Sequence, residues 1–167
     1  MTIKTPPAEV NINHSLVRLL IDEQFPQFKD LKISFLDAGW DNVNFRLGHA
    51  YIIRLPRRAA ALKYLQHEIL WLPQIQELLS ISIPAPLFLG ESNSSYPWPW
   101  TIIPWNNGVN ACKTKVESTE AVRLANFLKS LHSIPLQGLP HNQHRSSPLS
   151  NLTEKVQDRM NRLNRAT

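Results

Sequence analysis

The run Tyr51-Ile52-Ile53-Arg54-Leu55, with Glu68 a short helical run later, constrains the fold of this chain more than any other feature. A β-strand alternates its side chains between two faces, so Ile52 and Arg54 share one face and Tyr51, Ile53 and Leu55 the other. A cation therefore stands beside an apolar residue on one side of the sheet. Glu68 lies three residues after Leu65 and four before Leu72, on the inward stripe of an amphipathic helix. A carboxylate buried there needs a cationic partner, and Arg54 is the nearest candidate in sequence. An ordinary surface pair, or no contact at all, is the competing reading of these two residues alone.

The flanking sequence predicts the rest of a small sheet. Apolar residues Val10, Val17, Leu20 and Ile21 fit a helix over 8–21, which Pro26 helps to end. Leu31, Ile33 and Phe35 alternate with polar residues as in a half-buried strand. Val43, Phe45 and Leu47 alternate in the same way, and Gly39-Trp40-Asp41-Asn42 reads as the hairpin turn between the two strands. The helix over 59–79 contains Pro73, which removes a backbone donor and crowds the Ile69 carbonyl, so a kink or a stop is expected. Pro84, Pro86, Pro97, Pro99 and Pro104 require the strands at 87–89 and 100–103 to be short, bulged or at an edge, with Ser92 to Ser95 as the turn between them. Trp98 and Trp100 are expected in the core. Asn106-Asn107-Gly108 breaks regular structure, and residues 111–117 read as a connector. Two amphipathic helices follow: one carries Ala121, Leu124, Ala125, Leu128 and Leu131, the other Leu152, Val156, Met160 and Leu163.

Composition narrows the function classes. With 167 residues, 43% hydrophobic and 19% charged, the chain belongs with soluble globular proteins, and it has no apolar run of membrane-spanning length and no secretory leader pattern. A cytoplasmic location is expected. A single cysteine, Cys112, excludes an internal disulfide and any multi-cysteine zinc site. The net charge of +5 invites nucleic acid as a partner, but Arg57-Arg58 and the spaced Arg159, Arg162 and Arg165 form thin clusters that read better as solvated faces. His67-Glu68 opens like a zinc-protease helix, yet Trp71 stands where the second histidine would be. His132 reads as a cap or packing residue, and His141 and His144 as part of a polar loop.

Six separated runs, in order, resemble the aminoglycoside phosphotransferase family. They are Gly39-Trp40-Asp41-Asn42-Val43-Asn44-Phe45-Arg46-Leu47-Gly48, Ile52-Ile53-Arg54-Leu55-Pro56-Arg57-Arg58, Glu68-Ile69-Leu70-Trp71-Leu72-Pro73, Ile83-Pro84-Ala85-Pro86, Tyr96-Pro97-Trp98-Pro99-Trp100 and Leu131-His132-Ser133-Ile134-Pro135. The resemblance spans about residues 10–137. It implies an α+β fold: a protein-kinase-like nucleotide lobe over 1–105, made of an antiparallel sheet plus a helix, and the start of a helical second lobe over 106–167. It implies ATP or GTP as cofactor and a hydroxyl of a small molecule as acceptor of the phosphoryl group. In such folds a helix glutamate orients the strand cation that touches the nucleotide phosphates. The turn Gly39, Trp40, Asp41 and Asn42 would close over the phosphates, although a plain hairpin explains that turn equally well. Val43 and Ile52 would form the apolar ceiling of the base site. The segment Ile102 to Asn106, with Ile103 and the amide of Trp105, would meet the base edge.

The chemistry of transfer needs a carboxylate to accept the hydroxyl proton and ligands for magnesium. The family's catalytic loop and metal-binding aspartate are expected beyond Thr167. Asp158, the only aspartate after the hinge, has Val156 and Leu163 where that loop would need a histidine and an asparagine. The expectation is thus a phosphotransferase fragment, truncated or split, without catalytic or metal residues of its own. A nucleotide-binding or regulatory module that pairs with another chain, and a basic interaction protein that kept only the fold, remain open. Exposed helix stripes also predict self-association.

Overall fold

The computed structural model describes residues 6–135, 138 and 149–164. The chain forms two compact units, Met1–Pro135 and Leu136–Thr167.

In the first unit, helix α1 runs His14–Gln24, with Asn13 as N-cap: its Oδ1 accepts from the Leu16 amide at 3.0 Å. Val17, Leu20 and Ile21 recur at helical spacing and are fully buried. The helix expected from residue 8 therefore begins only at His14. The residues before it are non-helical, with a bend at Glu9 and Val10: the Glu9 amide donates to the Arg57 carbonyl, and Val10 and Ile12 pack against the core two residues apart.

Five antiparallel strands follow, β1 Ile33–Ala38, β2 Asn42–Leu47, β3 Tyr51–Pro56, β4 Phe88–Gly90 and β5 Trp100–Pro104, in the spatial order β1-β2-β3-β5-β4. Gly48, at φ +56°, makes the turn between β2 and β3, a conformation that glycine adopts without a side-chain clash. Val43, Phe45 and Leu47 face Ile53, Leu55, Ile102 and Trp100 in one core, closed by α1 and by Phe25 and Phe28. Two details of β1 differ from expectation. Leu31 precedes the strand, and Phe35 is 63% exposed. The register shifts between Phe35 and Asp37, so this edge strand bends away while Phe35 meets Phe45 edge-on at 5.7 Å.

The prolines act as boundaries. β4 is a three-residue edge strand, as expected, but β5 lies inside the sheet between β3 and β4. It tolerates this position because Pro97 and Pro99 precede it and Pro104 is its last residue. The Ser92–Ser95 turn forms around Asn93, whose Oδ1 accepts from the amides of Ser95 and Tyr96. Gly90 opposes Trp100, and a Cβ at Gly90 would lie 2.0 Å from Trp100 Cε2. Trp100 is fully buried, so the ring has nowhere to retreat. Gly90→Ala is expected to destabilise the unit by about 1–3 kcal/mol, seen as a lower denaturation midpoint, whereas an unchanged midpoint would show that the ring repacks freely.

Helix α2, Leu62–Glu77, continues through Pro73, where a stop had been an option. One missing donor costs less than a whole helix end, and Gln74 Nε2 donates to the Leu70 carbonyl at 2.7 Å beside the gap. Helix α3, Ser118–His132, has the expected apolar spacing but buries no residue: Leu124 is 57% exposed. In the second unit a 3₁₀ turn over Leu149–Leu152 leads into helix α4, Thr153–Asn164, with Val156 and Met160 exposed. His141 and His144 lie outside the described residues. No helix among those described is long and apolar enough to cross a membrane.

Candidate functional site

The face of the sheet opposite the core carries Arg54. Cross-strand register places Asn44 beside Arg54 on β2 and Thr101 beside it on β5. From α2 the Glu68 carboxylate takes the guanidinium in a fork: Arg54 Nη1 donates to Oε2 at 2.8 Å and Nη2 to Oε1 at 3.2 Å. The bidentate geometry adds direction as well as energy. Asn42, with its amide oxygen turned toward the cation, accepts from Arg54 Nε at 3.1 Å and Nη2 at 3.0 Å. These contacts leave one Nη1 proton uncommitted.

A pocket of ≈ 540 Å³ opens in front of this cation. The turn residues Gly39, Trp40, Asp41 and Asn42 form one wall, and Ile52, Arg54 and Ile103 form its floor. Seven residues expected at the site thus line one cavity. Leu36, Asp37, Ala38, Asn44 and Pro84 line it too and were missed from the sequence. Asn44 was within reach, since strand alternation puts it on the face of Asn42. Asp37 was not, because the β1 register shift that pairs it with Asn44 has no sequence signal, and its carboxylate accepts from Asn44 Nδ2 at 2.6 Å.

Three expected residues do not line it, though Glu68 is paired with Arg54 as expected. Glu68 sits behind Arg54 and holds it without lining the pocket. Val43 is not a ceiling: it is 7% exposed, on the core face with Phe45 and Leu47, because it pairs with Leu55. The ceiling reading took the right strand and the wrong face. Trp105 does not line the pocket either, and its amide donates to the Ala50 carbonyl at 2.8 Å, extending the β3–β5 ladder by one step. That amide is committed to the sheet and is not a free donor for a base. The indole is fixed as well, under the Arg46 guanidinium at 3.6 Å and through Nε1 to Asn107 Oδ1 at 2.9 Å.

Burial raises the Glu68 pKa; the Arg54 charge and hydrogen bonds pull it back, and Asp41 adds to the rise, leaving it above the ordinary carboxylate value. The folded chain then holds this proton to a higher pH than the unfolded chain does. In that window the unfolded state binds fewer protons, so the Glu68 contribution to stability declines as pH rises from the unfolded pKa through the folded one. Glu68→Gln is expected to flatten that part of the stability–pH curve. An identical curve would sink the assignment.

Among the described residues no three His, Cys, Asp or Glu side chains cluster as a metal site. Asp158 pairs with Arg162 one helical turn away at 2.9 Å, on an exposed helix face.

Several solved structures share this fold. The GDP complex of wild-type aminoglycoside 2'-phosphotransferase-IIIa superposes with a TM-score of 0.71 at 20% identity, covering 88% of this chain and 52% of that one. The GDP and kanamycin complex of APH(2")-IIIa gives 0.67 at 20% identity, with 85% and 51% covered. The ADP-bound aminoglycoside phosphotransferase APH(2'')-Ib gives 0.55 at 21%, with 74% and 41% covered. The chain thus spans about half the length of the proteins it resembles. The shared fold includes an antiparallel five-stranded sheet with helices, a protein-kinase-like N-terminal lobe. No curated protein sequence matches at a significant level. A model of the phosphotransferase enzyme family matches residues 32–166, most of the chain, and on that match the chain belongs to the phosphotransferase enzyme family.

Proposed function

We propose that these residues form the nucleotide-binding part of an ATP- or GTP-dependent phosphotransferase whose acceptor is a hydroxyl of an aminoglycoside-like small molecule. The observation that carries this reading is Arg54, held by Glu68 at the floor of the pocket with a donor still free. The residues present fit a nucleotide: a cation for a phosphate, and Ile52 and Ile103 as apolar surface for a base. A bound nucleotide would supply the transferable phosphoryl group. What the chain does is orient it, through a guanidinium whose direction is set by Glu68 and Asn42. Magnesium finds no matching ligand cluster among the described residues. In this reading the lobe ends at residue 105, and residues 106–167 lead into the acceptor lobe.

Titration of ATP and of GTP into the purified chain tests the proposal. Saturable binding by at least one of them, weakened by Arg54→Ala, is expected; no binding by either would overturn it. Among the described residues the carboxylates near the pocket are already engaged, Asp41 with Arg58, Asp37 with Asn44 and Glu68 with Arg54, which favours a second reading, a nucleotide-binding regulatory module, supported if the chain binds nucleotide and no acceptor is phosphorylated.

The bare stripe of α3 belongs to this proposal. Leu124 and Leu128 are exposed on one helix face, and covering such residues is worth roughly 1–2 kcal/mol each. We expect the chain to pair with a second copy of itself at high concentration. Sedimentation should show mass rising with concentration, and Leu124→Lys should restore a monomer; a monomer throughout would refute self-association.

A further inference from the structure

Two of the basic residues that read as a solvated cluster in the sequence, Arg57 and Arg58, are engaged with the turn Gly39–Asp41. Arg57 Nη1 donates to the Gly39 carbonyl at 2.9 Å, and the Arg57 amide to the Asp41 carbonyl at 2.9 Å. Arg58 Nε donates to the Trp40 carbonyl at 3.2 Å, and Arg58 Nη2 pairs with Asp41 Oδ1 at 2.8 Å. The turn is also closed on itself by the Gly39 amide donating to the Asn42 carbonyl at 2.9 Å. Every one of these contacts either fixes the turn or neutralises a negative atom on it.

That matters because the pocket wall carries oxygens that would repel a phosphate. The carbonyls of Gly39 and Trp40 are the negative ends of peptide dipoles, and Asp41 is a full charge lining the same pocket as Arg54. Left free, they would oppose the anion that Arg54 attracts. On the nucleotide reading given above, we propose that Arg57 and Arg58 are positioning residues that hold the Gly39–Asp41 turn rigid and electrically neutral, so that the phosphates of a nucleotide can approach Arg54. Neither arginine lines the site between Ile52 and Ile103, so their effect on a ligand scales with its phosphates and not with its base.

The experiment compares the intact chain with Arg58→Ala, Arg58→Lys and Arg57→Lys, using a nucleoside triphosphate and the matching nucleoside as probes. Hydrogen exchange at the Gly39 and Arg57 amides, both bonded within the turn, reports the clamp without any ligand. In Arg58→Ala exchange at these amides should speed up, and triphosphate affinity should fall by about tenfold, the worth of one charge-assisted hydrogen bond. Nucleoside affinity should not change. Arg58→Lys should recover part of the triphosphate affinity, since it keeps the charge on Asp41 and loses the fork. Arg57→Lys should leave the chain folded and loosen Gly39. Unchanged exchange in every variant overturns the clamp. Faster exchange with undiminished triphosphate affinity, while Arg54→Ala still loses it, overturns the positioning role alone. If Arg54→Ala loses nothing either, the nucleotide reading fails and the positioning role with it.

Discussion

Arg54→Ala is expected to weaken nucleotide binding by about 10- to 100-fold, because a hydrogen bond from a charged donor to an anion is worth about 1.5–3 kcal/mol. The same change strips Glu68 of its partner. Breaking a fully buried pair costs about 3–5 kcal/mol, but the Glu68 side chain keeps 27% of its exposure, so a loss of about 1–3 kcal/mol in folding stability is the appropriate scale. The two effects separate in a cycle. Arg54→Ala with Glu68→Ala should regain part of the stability, since no orphaned carboxylate remains, yet none of the affinity. Arg54→Lys should keep the charge and lose the fork to Glu68 and the Asn42 contact, giving intermediate affinity. Wild-type binding by Arg54→Ala, measured calorimetrically, would remove the central residue of the site.

The Arg54–Glu68 pair was legible because two simple periodicities place it, two along β3 and 3.6 along α2, and because a half-buried carboxylate demands a cation. The pocket wall at Gly39–Asn42 was legible as a turn. What escaped was set by pairing between strands. Val43 was assigned to the pocket although alternation alone groups it with Phe45 and Leu47, and the register Val43 to Leu55 confirms the core side. The Trp105 amide was expected to be free because the end of β5 was placed one residue early; its bond to Ala50 depends on where β3 begins. The clamp by Arg57 and Arg58 was invisible because most of their partners are backbone carbonyls of another segment, which leave no trace in residue types, and the one side-chain partner, Asp41, meets Arg58 only through the pairing of β2 with β3. Arg57-Arg58 read as surface charge for that reason. The apolar stripe of α3 followed directly from its spacing but its exposure did not, since a stripe shows what a helix can bury and says nothing of whether a partner is there.

The chain of 167 residues is expected to bind nucleotide without transferring its phosphoryl group. Transfer to a hydroxyl requires a base within reach of that proton, a contribution of about 10²–10⁴ in rate, and charge neutralisation at the phosphates that a metal normally adds. The carboxylates near the pocket are already engaged: Asp41 pairs with Arg58, Asp37 accepts from Asn44, and Glu68 holds Arg54. Diverting any of them to proton transfer would release the turn or the cation that orients the nucleotide. After Trp105 the acidic groups Glu117, Glu120, Glu154 and Asp158 are all exposed, and Glu120 pairs with Arg123 and Asp158 with Arg162, each within one helix and spaced for surface ion pairs. No described residue combines a free carboxylate, a place in the pocket and a neighbour able to tune it. Incubation with labelled nucleoside triphosphate, magnesium and an aminoglycoside should therefore yield phosphorylated acceptor no faster than a protein-free control, while the same preparation binds the nucleotide. Turnover above that control, lost in Asp41→Asn with binding retained, would make Asp41 the base and return the Arg58–Asp41 pair from positioning to catalysis.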